Sequence, residues 1–232
     1  MVTYKRHRYP PQIISHAIWL YFRFSLSFRD VQELLAQRGI SVTYEAIRAW
    51  TLKFGPPLTQ NLKKRNYRKG DKWHVDEMCV MINKQCYWLF RAVDKDGFEL
   101  DVMLQARRNK KAVTRFFSKV LNSQSKTPRV IVTDKLLSYR KPCKFMMPKA
   151  DHRRHKRLNN RIENSHKPSR IREKNMVKFK SPRQAQHFLS LYGQVRNLFF
   201  IGRYKSPAAY RRSALQRAFS VWDEVTLQED CA

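Results

Sequence analysis

Acidic side chains are scarce in this chain: 18 Asp and Glu stand against 48 Lys and Arg in 232 residues, a formal charge of +30 at pH 7. That excess is far beyond what solubility requires and points to a polyanionic partner. A run of apolar residues long enough to cross a membrane is also missing, which excludes a spanning helix. Cys79, Cys86, Cys143 and Cys231 form neither a CxxC pair nor a regular framework, so a reducing compartment fits best. Lys5-Arg6-His7-Arg8 before Ile13 to Leu20 has the outline of a signal peptide. His16 and Arg23 interrupt it and no small-x-small cleavage site follows, so the segment reads as an amphipathic helix. What the chain does have is 42% hydrophobic and 12% aromatic residues, too much apolar material for a disordered polycation.

The charge is unevenly spread. Residues 1–70 carry +10 and residues 135–180 carry +13, while the stretch between them, 71–134, carries only +4. Two basic blocks therefore flank a nearly balanced middle. A ribosomal or chromatin-like coat protein would satisfy the composition alone, so the periodicity has to decide.

Residues 11–54 read as three helices, with Ile13, Ile14, Ala17, Ile18 and Tyr21, then Phe28, Val31, Leu34 and Leu35, then Ala46, Ile47, Trp50 and Phe54 at helical spacing. Ser27 reads as an N-cap and Gly39 as the break before the third helix, which starts near Thr43. The short Gly39-Ile40-Ser41-Val42 connection suits a helix-turn-helix, and Glu45, Arg48, Thr51 and Lys53 would then face outward toward a DNA groove. An ordinary three-helix bundle fits the same spacing. Gly55-Pro56-Pro57 is expected to end this unit, giving an N-terminal domain over 1–57 and a basic linker over 58–70.

Beyond Trp73 the period changes to that of strands. Trp73 to Ile82, Gln85 to Val93 and Phe98 to Leu104 read as three antiparallel strands joined at Asn83-Lys84 and Asp94-Lys95-Asp96-Gly97. Lys110 to Leu121 reads as a helix, and Arg129 to Thr133 as a strand buried on both faces, parallel to the first. The result is a mixed α/β sheet flanked by helices. A helix is expected from Asn160 to Lys167, ended or kinked at Pro168. Another opens at Ser181-Pro182-Arg183-Gln184, and a short one lies within a tail over 205–232.

Three carboxylates carry the chemistry. Asp76 lies within the first strand, Asp134 ends the buried strand, and Glu163 lies on the helix after it. An unpaired carboxylate in an apolar run is costly to desolvate and calls for a partner such as a divalent cation. Adjacent strands would bring Asp76 and Asp134 to one crevice, and a helix over the sheet would lower Glu163 onto it. Such a cluster suits one or two Mg²⁺ or Mn²⁺ ions in phosphodiester chemistry. Each residue also has an ordinary role available: Asp134 as a helix cap, Asp76 or Glu163 in a salt bridge. Glu77 competes with Asp76 but points to the opposite strand face.

Trp73-His74-Val75-Asp76-Glu77, Tyr87 to Asp94, Thr133-Asp134-Lys135, Leu158 to Glu163 and Phe179-Lys180-Ser181 together resemble the DDE transposases of insertion-sequence family six, in order, from about residue 10 to 200. The resemblance implies an RNase H-like catalytic domain over 71–204 behind a helix-turn-helix, with Asp76, Asp134 and Glu163 as a metal-binding triad. It further implies Mg²⁺-dependent cleavage at transposon ends, attack of the 3′ hydroxyls on target DNA, cointegrates, and a homodimer or higher multimer on double-stranded DNA in the bacterial cytoplasm, associated with the nucleoid. The chain departs from the family between Asp134 and Glu163, where 28 residues stand and Ser138 to Ala150 is shortened. Two rivals remain at this point: a degenerate, inactive transposase that only binds DNA, and an RNase H-type nuclease that only hydrolyses.

His152-Arg153-Arg154-His155 with Cys143 nearby lacks a second zinc-ligand pair, and the surrounding charge opposes a cation. Lys135, Arg153, Arg154, Arg157, Arg161, Lys167 and Arg170 read instead as a phosphate track beside the carboxylates.

Overall fold

A computed structural model describes residues 4–65, 70–154, 160–176, 178–201 and 207–227, with backbone only at 160, 161 and 163–165. The chain divides into two compact units, one formed by residues 1–65 and 191–232, the other by residues 66–190.

The first unit contains α1 (Pro11–Arg23), α2 (Phe28–Ala36) and α3 (Tyr44–Lys64). Ser27 caps α2 through a reciprocal box with Asp30: its hydroxyl accepts from the Asp30 amide at 3.1 Å, and the Asp30 carboxylate accepts from the Ser27 amide at 2.7 Å. Gly39, at φ +73°, closes α2. The Ile40 amide donates to Leu35 O at 3.0 Å and the Gly39 amide to Ala36 O at 2.9 Å, the paired bonds of a left-handed helix stop. Thr43 caps α3. The structure departs from expectation at Gly55-Pro56-Pro57, because α3 runs straight through both prolines to Lys64. Trp50, Phe54, Leu58 and Leu62, four residues apart, are all buried. That continuous apolar stripe outweighs the local cost of two missing amide donors. Thr51, expected to face outward, is buried with its hydroxyl on Arg48 O, whereas Glu45, Arg48 and Lys53 are exposed. The later helix α8 extends over Ala208–Leu227 and packs on α1 and α3.

The second unit is built on a five-stranded sheet in the order β3-β2-β1-β4-β5. Its strands are β1 (Lys72–Ile82), β2 (Gln85–Asp94), β3 (Glu99–Gln105), β4 (Val130–Thr133) and β5 (Asp151–Arg154). β1 to β3 are antiparallel; β4 runs parallel to β1, and β5 parallel to β4. Asn83 and Lys84 turn the first hairpin with φ of +50° and +64°, the mirror-image turn whose twist matches the strands. Cys79 and Cys86 face each other across that hairpin with Cα atoms 5.9 Å apart, a proximity the cysteine spacing did not announce. Asp94 shapes the second turn, its carboxylate accepting from the amides of Asp96 and Phe98.

Alternation along β1 sends Trp73 and Val75 to one face of the sheet. They pack there with Phe90, Ala92 and Leu100 against Val113, Phe116, Phe117 and Val120 of α4 (Lys110–Gln124), and against Tyr139, Cys143 and Met147. The expected basic connection after Asp134 is folded: a single 3-10 turn (Leu137–Tyr139), then α5 (Arg140–Met146), then β5. On the opposite face lies α6 (Asn160–Asn175), which continues through Pro168 rather than ending there and packs on β1 and β2. α7 (Pro182–Leu198) begins with the expected cap, the Ser181 hydroxyl accepting from the Gln184 amide at 3.2 Å.

Because Phe116 is fully buried and Phe145 is 87% exposed, Phe116→Ala is expected to cost about 3–5 kcal/mol, and Phe145→Ala no more than about 0.5 kcal/mol. Urea titration of the two variants against the parent checks both values.

Candidate active site

The parallel register of β1 and β4 pairs Trp73 with Ile131 and His74 with Val132. Carried two residues further, it sets Asp76 beside Asp134 just beyond the end of the ladder. Oxygens of Asp76, Glu77 and Asp134 lie within 4.8 Å of one another, and among the described residues this is the only group of three His, Cys, Asp or Glu side chains placed to hold a metal ion. The structure thus brings together Asp76 and Asp134, and it adds Glu77. Glu77 does start on the face opposite Asp76, but its side chain reaches the common edge where β4 has ended.

Each carboxylate is held differently. Asp76 faces α6, where His166 Nε2 stands 3.5 Å from its Oδ2. His166 is buried, and burial lowers its pKa, with Arg91 and Arg170 adding to the effect against the opposing pull of Asp76. Asp134 Oδ1 accepts from the Leu136 amide at 2.9 Å, and its Oδ2 lies 3.3 Å from Arg108 Nη2. The side chain of Glu77 has no solvent exposure. It accepts from the Tyr139 hydroxyl and from Arg108 Nε. Burial raises the Glu77 pKa, and the Tyr139 hydrogen bond and the Arg108 charge oppose that rise. Burial, reinforced by the charge on Glu77, drives the Tyr139 phenol well above its usual range, so it remains a proton donor. The Arg108 guanidinium lies 4.8 Å over the Trp88 ring and spans Glu77 and Asp134.

Glu163 lies on α6 one turn before His166; its side chain falls outside the described residues, as do those of Arg157 and Arg161. Lys135, Arg153, Lys167 and Arg170 are exposed, and Arg154 is half-buried. Arg153 is paired with Asp151 at 2.7 Å. His152 takes no part in a metal cluster among the described residues: its Nε2 is 2.9 Å from the Thr133 hydroxyl, and burial of Cys143 pushes its thiol up to about 12. Glu77, Arg108, Tyr139 and His166 are the residues that sequence reasoning did not assign to the site. Adjacency to Asp76 was the one signal for Glu77. Arg108 and Tyr139 come from the connection before α4 and the turn after β4, and nothing in their spacing announces that they meet.

Hard oxygen donors clustered this closely, with the Arg108 guanidinium bridging two of them, fit a divalent ion of the Mg²⁺ or Mn²⁺ kind. The cluster sits on a mixed sheet in the order β3-β2-β1-β4-β5, with carboxylates on the central strand and at the end of its parallel neighbour.

Residues 70–200 match the DDE_Tnp_IS240 family, a DDE domain. The chain is 30% identical over 178 residues to the transposase for insertion sequence-like element IS431mec of Staphylococcus aureus strain Mu50, covering 75% of this chain and 79% of that protein. The transposase for insertion sequence element IS257 in transposon Tn4003 of Staphylococcus aureus matches at the same identity and coverage. Among solved structures, the simian T-cell lymphotropic virus intasome in complex with the PP2A regulatory subunit B56 gamma aligns with a TM-score of 0.45 at 12% identity, over 62% of this chain and 58% of that one. The HTLV-2 integrase catalytic core domain in complex with magnesium, in its trimeric form, aligns with a TM-score of 0.38 at 15% identity, over 60% of this chain and 93% of that one. The chain belongs to the DDE transposases of insertion-sequence family six.

Tyr139→Phe leaves the buried Glu77 without its hydroxyl donor, and a loss of about 1–3 kcal/mol in folding stability at neutral pH is expected. Chemical denaturation of the metal-free protein checks it.

Proposed function

We propose that this transposase binds the terminal inverted repeats of its element, cleaves the DNA ends and joins them to target DNA, with Asp76, Asp134 and Glu163 as the catalytic triad. The observation that carries this reading is the meeting of Asp76 and Asp134 oxygens at the end of β4, in a chain of charge +30.

The path of α6 supports Glu163 as the third member. Ser169 accepts a hydrogen bond from Arg91 of β2 at 2.6 Å, and His166, one turn earlier, stands against Asp76 of β1. Each three-residue step of a helix advances about 4.5 Å, close to the roughly 4.8 Å between neighbouring strands. Carried one more turn back, the same path would lead residue 163 toward β4, the strand that ends in Asp134. The shortened connection still builds a 3-10 turn, α5 and β5 before α6, which favours a working copy over a degenerate one.

Asp76, Asp134 and Glu163 would hold one or two Mg²⁺ or Mn²⁺ ions, supplying the charge that activates an attacking oxygen and stabilises a leaving one at phosphorus. The chain's own residues do the rest. His166 braces Asp76, the Leu136 amide orients Asp134, and Lys135, Arg153, Arg154, Lys167 and Arg170, with Arg157 and Arg161, position the phosphates without reading sequence. Water is the first nucleophile and the 3′ hydroxyl of the cut strand the second, which separates this reading from a nuclease that only hydrolyses. Sequence is read by the N-terminal helices, with Arg48 and Lys53 on the exposed side of α3. A homodimer or larger multimer pairs two ends, the product is a cointegrate, and the work is done at the bacterial nucleoid.

Labelled terminal DNA incubated with target DNA and Mg²⁺ tests the assignment. The parent chain should yield joined products, while Asp76→Asn, Asp134→Ala and Glu163→Gln should each lower the rate by about three orders of magnitude or more, as loss of one member of a cooperating set does. End binding by gel shift should persist in all three. Joining that survives Asp134→Ala removes the triad; no joining by the parent chain, with binding intact, leaves the binding-only protein.

A further inference from the structure

Asp76, Glu77 and Asp134 would place three negative charges within 4.8 Å of one another, and among the described residues the cation that touches two of them is Arg108. Its two grips are unequal. Nε holds Glu77, whose side chain is fully buried, and the guanidinium lies over Trp88 at 4.8 Å. Nη2 holds Asp134 more loosely, at 3.3 Å, where the aspartate is 29% exposed and Arg108 itself 34% exposed. The inner grip can therefore persist while the outer one lets go. A divalent ion that uses Asp134 Oδ2 needs the oxygen that Nη2 now occupies.

On the reading of Asp134 as a metal ligand, we propose that Arg108 is a resident counter-cation of the site: it neutralises Asp134 in the metal-free protein and competes with the divalent ion for that carboxylate. Anchored on Glu77 and Trp88, it yields Asp134 when the ion binds, and its freed Nη2 is then left at the edge of the site, where a DNA phosphate would arrive. Arg108 is in this sense a positioning residue, acting through Asp134. A purely structural arginine, needed only to hold the carboxylates in place, would have the opposite effect on the ion: its loss would weaken binding.

Mn²⁺ binding to the full chain without DNA, followed by electron paramagnetic resonance, separates these cases. Arg108→Gln should bind Mn²⁺ about fivefold tighter than the parent, the scale of a partly exposed ion pair, and Mn²⁺ should raise its melting temperature by more than it raises the parent's. Arg108→Lys, which keeps the charge, should stay close to the parent. Trp88→Leu removes the stacking surface and no charge, and should shift affinity the same way by a smaller factor, so the test does not hang on one variant folding. Unchanged or weaker Mn²⁺ binding in both Arg108→Gln and Trp88→Leu overturns the proposal while the metal site stands. Parent binding that is equal in Asp134→Asn places the ion elsewhere and overturns the underlying reading too.

Discussion

Like charges do not gather unless something holds them, and the second unit is organised around that constraint. Two ionised carboxylates within 4.8 Å of each other repel by about 3 kcal/mol or more at an effective dielectric constant of 20. Three of them at the end of one strand need compensation from every side. Arg108 spans two, the Tyr139 hydroxyl satisfies the buried oxygen of Glu77, the Leu136 amide takes one oxygen of Asp134, and His166 stands against Asp76. The partners come from three stretches of chain, the connection before α4, the turn after β4, and α6, so the cluster forms only when the sheet and all three are in place.

The sheet is what makes the gathering reproducible. β1 is the middle strand, covered by α4 on one face and α6 on the other, and its register with β4 is fixed by residues buried on both sides. A slip of one residue would send Asp76 to the α4 face and Val75 toward α6, exchanging a charge for a core residue. The apolar pattern of Trp73, Val75, Phe90 and Ala92 therefore determines where a carboxylate two residues beyond the ladder ends up. Stability and site geometry are set by the same alternation.

That alternation is also why much of the second unit could be read from the sequence. β1, β2, β3, α4 and β4 are periodic or continuously apolar stretches bounded by turn signals, and their boundaries fall within a few residues of those expected. The parts that were not legible lack such a period. β5 is Asp-His-Arg-Arg, a polar strand recognisable only by its pairing with β4. α3 and α6 pass through prolines because distant packing outweighs a local stop signal, with Leu58 and Leu62 buried in one and Ser169 and Arg172 in the other. The site itself was half legible. Asp76 and Asp134 stand out as charges in apolar strands, while Glu77 looked excluded by strand parity. Parity predicts the face a side chain leaves from, not where a long one ends at the rim of a sheet.

The side of α6 that meets the sheet explains how a very basic helix can lie against a catalytic surface at all. Of its buried positions among the described residues, Ile162 is aliphatic and His166, Ser169 and Arg172 are polar. Apolar area gives little directional preference, and a helix docked by it can slide along its axis at small cost. Directional groups narrow this freedom: the Arg91 hydrogen bond to Ser169 and the 3.5 Å approach of His166 to Asp76 set the position of α6 along the sheet. Asp76 consequently has two roles, as a carboxylate of the cluster and as a point of attachment for the helix that carries Glu163. The helix that carries Glu163 is thus aligned by a carboxylate of the cluster, which ties the position of residue 163 along the sheet to that of Asp76.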